Sequence, residues 1–316
     1  MIIENWRLKI IFFFMFTSLY VLVFFFFGSF IGSFLNVVIY RTYYNKPFAR
    51  GRSYCPKCKK QIRWYDNIPI LSFLILKGKC RDCGKKISVQ YPIVEFAAGL
   101  LFALSFYYVI PANYVIPAKA GIHAVNNFQS IFPATLLDLL KAGSRQGGDN
   151  FQSIPNSQFP IPLLLRDLFV ASVLLVIFVQ DFKWYIVLDK IVLPALVVVF
   201  ALNLFLGAGI YNLLIAVLIG AGFFYLQFIV SQGRWIGGGD IRIGAFMGAS
   251  LGYPLILVAI FLAYLIGSFF AIFLLLIGKK KMGSKLPLGT FLAPATLVVL
   301  LWGHGILSWY LNLFIG

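Results

Sequence analysis

Two aspartates, Asp181 and Asp240, have the residue type and setting from which catalysis could be built. Asp181 closes one long apolar segment, and Asp240 ends the run Gly237-Gly238-Gly239-Asp240 ahead of another. A carboxylate at membrane depth is costly and marks function by default. Two of them, brought to one membrane face by different helices, could share a proton. The ionised one would take a proton from water, and the protonated one would polarise a carbonyl and later donate to a leaving amine. The glycines before Asp240 are expected to let backbone and substrate approach closely and to hold the Asp outside a regular helix. Gly237 and Gly239 are therefore supporting residues. The plain structural alternative makes Asp181 an interfacial residue and Asp240 a helix N-cap, a common place for Asp. Asp189 supports the pair or caps a helix beginning at Lys190.

A second constellation is Cys55-Pro-Lys-Cys58 with Cys80-Arg-Asp-Cys83, 21 residues apart. Paired CxxC turns present four thiolates to one tetrahedral Zn²⁺, and Gly84 permits a tight knuckle after the second pair. Four Cys ligands leave no open position, so such a zinc is structural and clamps a loop with little core of its own. A redox pair is the lesser alternative. No His-Glu-x-x-His helix is present, and His123 and His304 belong to no evident Ser/His/Asp set.

The elements that must position these groups are membrane helices. Of 316 residues 61% are hydrophobic and 12% charged, with 34 Phe, which places the chain among polytopic membrane proteins of all-α class. Apolar segments lie near 10–40, 91–110, 161–180, 186–206, 209–231, 253–277 and 288–312. A shorter one, rich in Gly and Ala, spans about 241–252 and is expected to pack inside the bundle. That makes about eight transmembrane segments. Thirteen Lys and Arg fall between Arg41 and Lys86, and Lys279, Lys280, Lys281 and Lys285 form a second cluster. Both follow apolar segments, so the net charge of +17 reads as a cytoplasmic anchor with attraction to anionic lipid, not as a nucleic-acid surface. This charge rule puts the 41–90 loop, Asp181 and Asp240 on the cytoplasmic side.

The expected organisation is a first helix in 1–40, a cysteine loop in 41–90, a second helix in 91–110, an outer insertion in 111–160 and a membrane domain in 161–316. The insertion is rich in Pro, Gly, Asn and Ser and repeats Tyr108–Ala112 as Tyr114–Ala118, so it reads as irregular and dispensable. Glu95, near the start of the second helix, suits the positive end of a helix dipole.

Several motifs in order resemble type IV prepilin peptidases. They are Gly28-Ser-Phe-Ile-Gly-Ser-Phe-Leu-Asn-Val-Val-Ile-Tyr-Arg41, Trp64-Tyr-Asp-Asn-Ile-Pro-Ile-Leu-Ser72, Ile87-Ser-Val-Gln-Tyr-Pro-Ile-Val-Glu95, Gly237-Gly-Gly-Asp-Ile-Arg242 and Leu286-Pro-Leu-Gly-Thr-Phe-Leu-Ala-Pro294. The fourth matches the family's GxGD element. The resemblance implies a bifunctional bacterial inner-membrane enzyme. It would cleave the leader of type IV prepilins or pseudopilins with Asp181 and Asp240, then N-methylate the new N-terminus using S-adenosylmethionine, with 41–90 or Glu95 in the methyl-transfer part. The sequence departs in Val187-Leu188-Asp189, where the family usually has Pro before the Asp, and in the length of 111–160. The other readings are a different GxGD intramembrane aspartyl protease, or a transporter or assembly scaffold without catalysis. A transporter should show symmetry between its halves, and none is visible.

Overall fold

The computed structural model describes residues 2–47, 51–115, 161–278 and 286–315. Most of the 111–160 insertion and the Lys279–Lys285 cluster lie outside the described residues. The described residues hold helices and no strand, with two isolated bridges, Tyr54 to Gln61 and Lys79 to Lys86. The chain divides into two compact units, Met1–Pro111 and Ala112–Gly316.

The first unit is built on α1 (Ile2–Tyr43) and the start of α3 (Gln90–Val115), with a 3₁₀ turn (Trp64–Asn67) and the short α2 (Leu71–Ile75) between them. The Gly28-x-x-x-Gly32 pattern explains the helix pairing. A Cβ on Gly28 would lie 2.6 Å from the Ala98 carbonyl oxygen, and one on Gly32 would lie 2.7 Å from the Glu95 Cα. Small residues at this spacing let helix backbones meet at van der Waals distance. One turn further, the buried Asn36 amide donates to the Gly32 and Tyr91 carbonyls at 3.2 and 3.1 Å. The Phe24–Phe27 row divides its faces: Phe24 stacks on Phe106 with centroids 4.5 Å apart, while Phe26 and Phe27 are exposed.

The second unit contains α4 (Ile161–Trp184), α5 (Asp189–Phe205), α6 (Ile210–Ser231), α7 (Gly238–Leu251), α8 (Leu255–Leu276) and α9 (Gly289–Ile315). Every apolar segment foreseen is a helix. Among the described residues six helices are long and apolar enough to cross a membrane: α1, α3, α4, α6, α8 and α9. The two others fall short for a geometric reason. At 1.5 Å per residue the 17 residues of α5 span about 26 Å and the 14 of α7 about 21 Å, less than the ~30 Å of a bilayer core. Helix α7 is the centre of the unit and packs on α5, α6, α8 and α9. Its glycines make that possible: a Cβ on Gly244 would run into the Gly220 carbonyl of α6, and one on Gly248 into the Ala216 carbonyl. Ile243, Phe246 and Met247 fill the core beside them.

Two boundaries differ from expectation in a way that matters for the acids. Helix α4 continues past residue 180 to Trp184, and α7 begins at Gly238, before Ile241. Both aspartates are therefore helical residues and do not lie in connecting loops.

Candidate active site and metal centre

Asp181 stands in the last turn of α4, which ends where Tyr185 turns left-handed with φ 58° and its N–H bonds the Asp181 carbonyl at 2.9 Å. Its side chain is buried, with 5% of the residue exposed. The Oδ2 atom accepts the backbone N–H of Thr290 at 2.7 Å and the Thr290 hydroxyl at 3.2 Å. Thr290 is the second residue of α9, so the carboxylate of one helix sits on the N-terminus of another. Unpaired N–H groups and the helix dipole both favour an anion there.

Asp240 is the third residue of α7 and 8% exposed. Its Oδ2 accepts the N–H of Gly237 at 2.9 Å, across the N-terminus of its own helix. The expected release of this residue from regular helix is thus corrected, because the glycines extend α7 backwards instead of interrupting it. Asp240 is not the N-cap either; Gly237 occupies that position. Of the three glycines only Gly239 is sterically required by the chain itself. A Cβ there would lie 2.8 Å from the Cβ of Val187, whereas one on Gly238 would meet nothing within 4 Å.

The two acids share one end of the bundle. Ile243 lies one turn beyond Asp240 on the same face, and a Cβ on Gly289 would lie 2.9 Å from both its Cδ1 and the Asp181 Oδ2.

Asp189 is brought to a different use. Leu188 occupies the N-cap of α5, and the Asp189 carboxylate pairs with Arg242 of α7 on an exposed surface, so the capping role is corrected. That pair joins the starts of α5 and α7, two residues after Asp240. Glu95 is also corrected. It lies beyond the first turn of α3, too deep for the end-of-helix dipole, and its buried carboxylate accepts the N–H of Ile70 at 2.7 Å. Sequence reasoning missed two things. One is Thr290, although it lies inside a motif singled out above. The other is a third buried acid, Asp167, bonded to Arg166 at 2.8 Å, with Arg166 also donating to Asn203 and Asn203 to the Ala249 carbonyl. That network lies near the start of α4, 14 residues before Asp181, and so at the far end of the bundle.

In the first unit Cys55, Cys58, Cys80 and Cys83 converge, all four sulfurs within 4.8 Å of one another. Cys55 and Cys83 are 4.0 Å apart, against the roughly 3.8 Å between sulfurs that 2.3 Å bonds in a tetrahedron require. The donor set and spacing fit a metal such as zinc. Each pair forms the same knuckle: the fourth residue after the first Cys is left-handed, Lys59 at φ 64° and Gly84 at φ 66°, and its N–H bonds that Cys carbonyl at 2.9 Å. Gly84 takes this conformation without strain, as expected, while Lys59 takes it at a cost of about 1 kcal/mol. Beside the second knuckle Asp66 receives Arg81 through Nε at 2.9 Å and Nη2 at 2.6 Å. Those bonds hold the Asp66 carboxyl below the usual carboxylate range.

The family model for the bacterial peptidase A24 N-terminal domain matches residues 26–109, and that for the type IV leader peptidase family matches residues 168–283. The prepilin leader peptidase/N-methyltransferase of Aeromonas salmonicida (strain A449) is 30% identical over 93% of this chain and 94% of its own length. The chain belongs to the prepilin leader peptidase/N-methyltransferase family. A relative of the same description from Bacillus subtilis (strain 168) is 28% identical over 93% of this chain and 99% of its own. One from Myxococcus xanthus is 49% identical over 28% of this chain. No solved structure gives a significant match. The two family-model matches cover different parts of the chain. The first spans the cysteine cluster and Glu95, and the second spans Asp181, Asp189 and Asp240. Thr290, which holds Asp181, lies beyond the end of the second.

Proposed function

We propose that this protein is an aspartic peptidase of the bacterial inner membrane. It removes the leader from type IV prepilins or pseudopilins at the cytoplasmic face and N-methylates the new N-terminal residue. One observation carries the peptidase reading: two buried carboxylates from different helices, at one end of the bundle, are each held through Oδ2 by a helix N-terminus. Using Oδ2 for positioning fixes each side chain and leaves Oδ1 for water and the scissile carbonyl. In the reaction one carboxylate takes a proton from water, the hydroxide oxygen bonds the carbonyl carbon, and the other acid protonates the carbonyl oxygen. On collapse the C–N bond breaks, the first acid gives its proton to the leaving amine, and a hydroxyl of the intermediate returns one to the second carboxylate, so the acids end as they began.

The cysteine cluster would hold a structural zinc that staples the loop; with four thiolates it supplies no open coordination position. Methyl transfer from S-adenosylmethionine rests on family membership. The described residues contain no glycine-rich strand–turn–helix cradle of the kind that binds dinucleotides, and no step is assigned to that cofactor.

The deciding experiment is cleavage of a prepilin in proteoliposomes by wild type, Asp181→Asn and Asp240→Asn at matched abundance. Loss of cleavage in both variants, with methylation of a pre-cut pilin retained, is the expected result. Wild-type cleavage by either variant removes that residue from the pair, leaving Asp189 to be tested next.

A further inference from the structure

The loop between α1 and α3 is tied to the membrane helices at both sides. At the α1 end the buried Arg41 donates to the carbonyls of Pro47, Gly51 and Arg52 at 3.2, 3.0 and 3.3 Å. At the α3 end Glu95 accepts the Ile70 N–H at 2.7 Å. Glu95 is five residues inside α3, about 7.5 Å along the axis from Gln90, and lies within the candidate membrane span Gln90–Val109. The neighbours of Glu95 on the outer face of α3, Ile93 and Phe96, are exposed apolar side chains. Ile70 is thus drawn down to the level where α3 already shows an apolar surface. Ile70 is the centre of a tight turn with φ 61° and ψ −53°, a conformation costly for a β-branched residue.

Helix α2 begins at the next residue, and it wastes its apolar side chains if it faces water. Leu71, Leu74 and Ile75 are 50%, 64% and 66% exposed. Lys77 and Lys79 follow, both exposed. An apolar stripe bordered by lysines at this depth is complementary to an acyl boundary beneath anionic headgroups. We propose that α2 is an interfacial anchor of the first unit. Leu71, Leu74 and Ile75 enter the edge of the bilayer, Lys77 and Lys79 meet anionic lipid headgroups, and Glu95 is the positioning residue that holds the segment down. The anchor would keep the metal-binding loop against the membrane surface. The proposal is independent of the peptidase reading and uses only the membrane helices and the loop.

The test uses the full-length protein in mixed phosphatidylcholine–phosphatidylglycerol vesicles. The probe is the emission added by Leu74→Trp over that of the native chain. Lipids brominated in the upper acyl chain are expected to quench most of this added emission, and aqueous acrylamide to leave it largely intact. Ile75→Trp is the second probe should the first variant fold poorly. In a Glu95→Ala background bromolipid quenching should fall and acrylamide quenching rise, with the metal content of the cysteine cluster retained. The Lys77→Gln/Lys79→Gln pair should weaken bromolipid quenching in these vesicles but not in pure phosphatidylcholine. Efficient acrylamide quenching without bromolipid quenching would overturn the proposal, because α2 would then face water. Insensitivity to both quenchers would overturn it too, as the mark of a protein-covered face. An unchanged lipid response in the lysine variant would overturn the headgroup contact.

Discussion

At Gly289 a single methyl group tests whether α9 sets the position of Asp181. The Cβ of Gly289→Ala would lie 2.9 Å from Asp181 Oδ2, 3.1 Å from its Cγ and 2.9 Å from the Ile243 Cδ1. Non-bonded heavy atoms prefer roughly 3.5 Å, so something must retreat by about half an ångström. Ile243 can turn its terminal methyl away, but the carboxylate can retreat only by stretching its 2.7 Å bond from the Thr290 N–H. A hydrogen bond to a charged group contributes about 1.5–3 kcal/mol. Losing it in the reactive geometry lowers the cleavage rate by about 10- to 150-fold. The backbone itself is not strained by the change: Gly289 is the first residue of α9 and is not left-handed, so Ala fits its conformation. The expected result is therefore a protein as stable as wild type in detergent that cleaves prepilin at least tenfold more slowly. A wild-type rate would refute the claim that the Thr290 contact positions Asp181. Parallel loss of folded protein and activity would move the effect to packing against Ile243.

Gly244→Val should destabilise the second unit by about 1–3 kcal/mol, since its Cβ meets the Gly220 carbonyl oxygen at 2.4 Å and the fully buried Phe224 ring at 2.5 Å; unfolding in mixed micelles measures it. Cys58→Ser should abolish stoichiometric zinc while membrane insertion persists, and metal analysis of the purified variant reads this directly. For Asp66 the sign follows from its lowered titration. Its pairing with Arg81 contributes above the unfolded carboxyl value of about 3.9 and is lost as pH falls through the folded value. Arg81 is 41% exposed, so solvent screens the pair and its contribution is small, and Asp66→Asn should leave the Trp64 emission of the loop unchanged at pH 7.

The helices were legible because apolar composition over some twenty residues leaves the chain one way to satisfy its backbone in lipid. The buried, small-residue character of α7 was legible too, since residues 241–252 are too short to span and too rich in Gly to face lipid. What could not be read was how each helix end meets its neighbours. The cap at Asp189 is a local inference, and it fails because Arg242, 53 residues away, offers its carboxylate a charged partner. Glu95 fails as a dipole residue for the same reason: an N–H 25 residues earlier comes to it. In one dimension Gly237 to Gly239 read as residues that free Asp240 from a regular helix. In three dimensions Val187 presses on Gly239, so the glycine serves close packing within a regular turn.

The same distinction separates the two acids. Asp240 receives its positioning hydrogen bond from Gly237, three residues earlier, and keeps it wherever α7 is formed. Asp181 receives its own from Thr290, 109 residues later, and keeps it only while α9 is docked against α4. One carboxylate is thus set by local helix geometry and the other by assembly of the bundle. On this reasoning, perturbing the connection between α8 and α9 should loosen Asp181 and leave Asp240 in place. Cleavage would fall without loss of α7, whose hydrogen-exchange protection reports its folding independently. If protection of α7 fell together with cleavage, positioning of the two acids would be one cooperative event, and the asymmetry in their hydrogen bonds would carry no functional consequence.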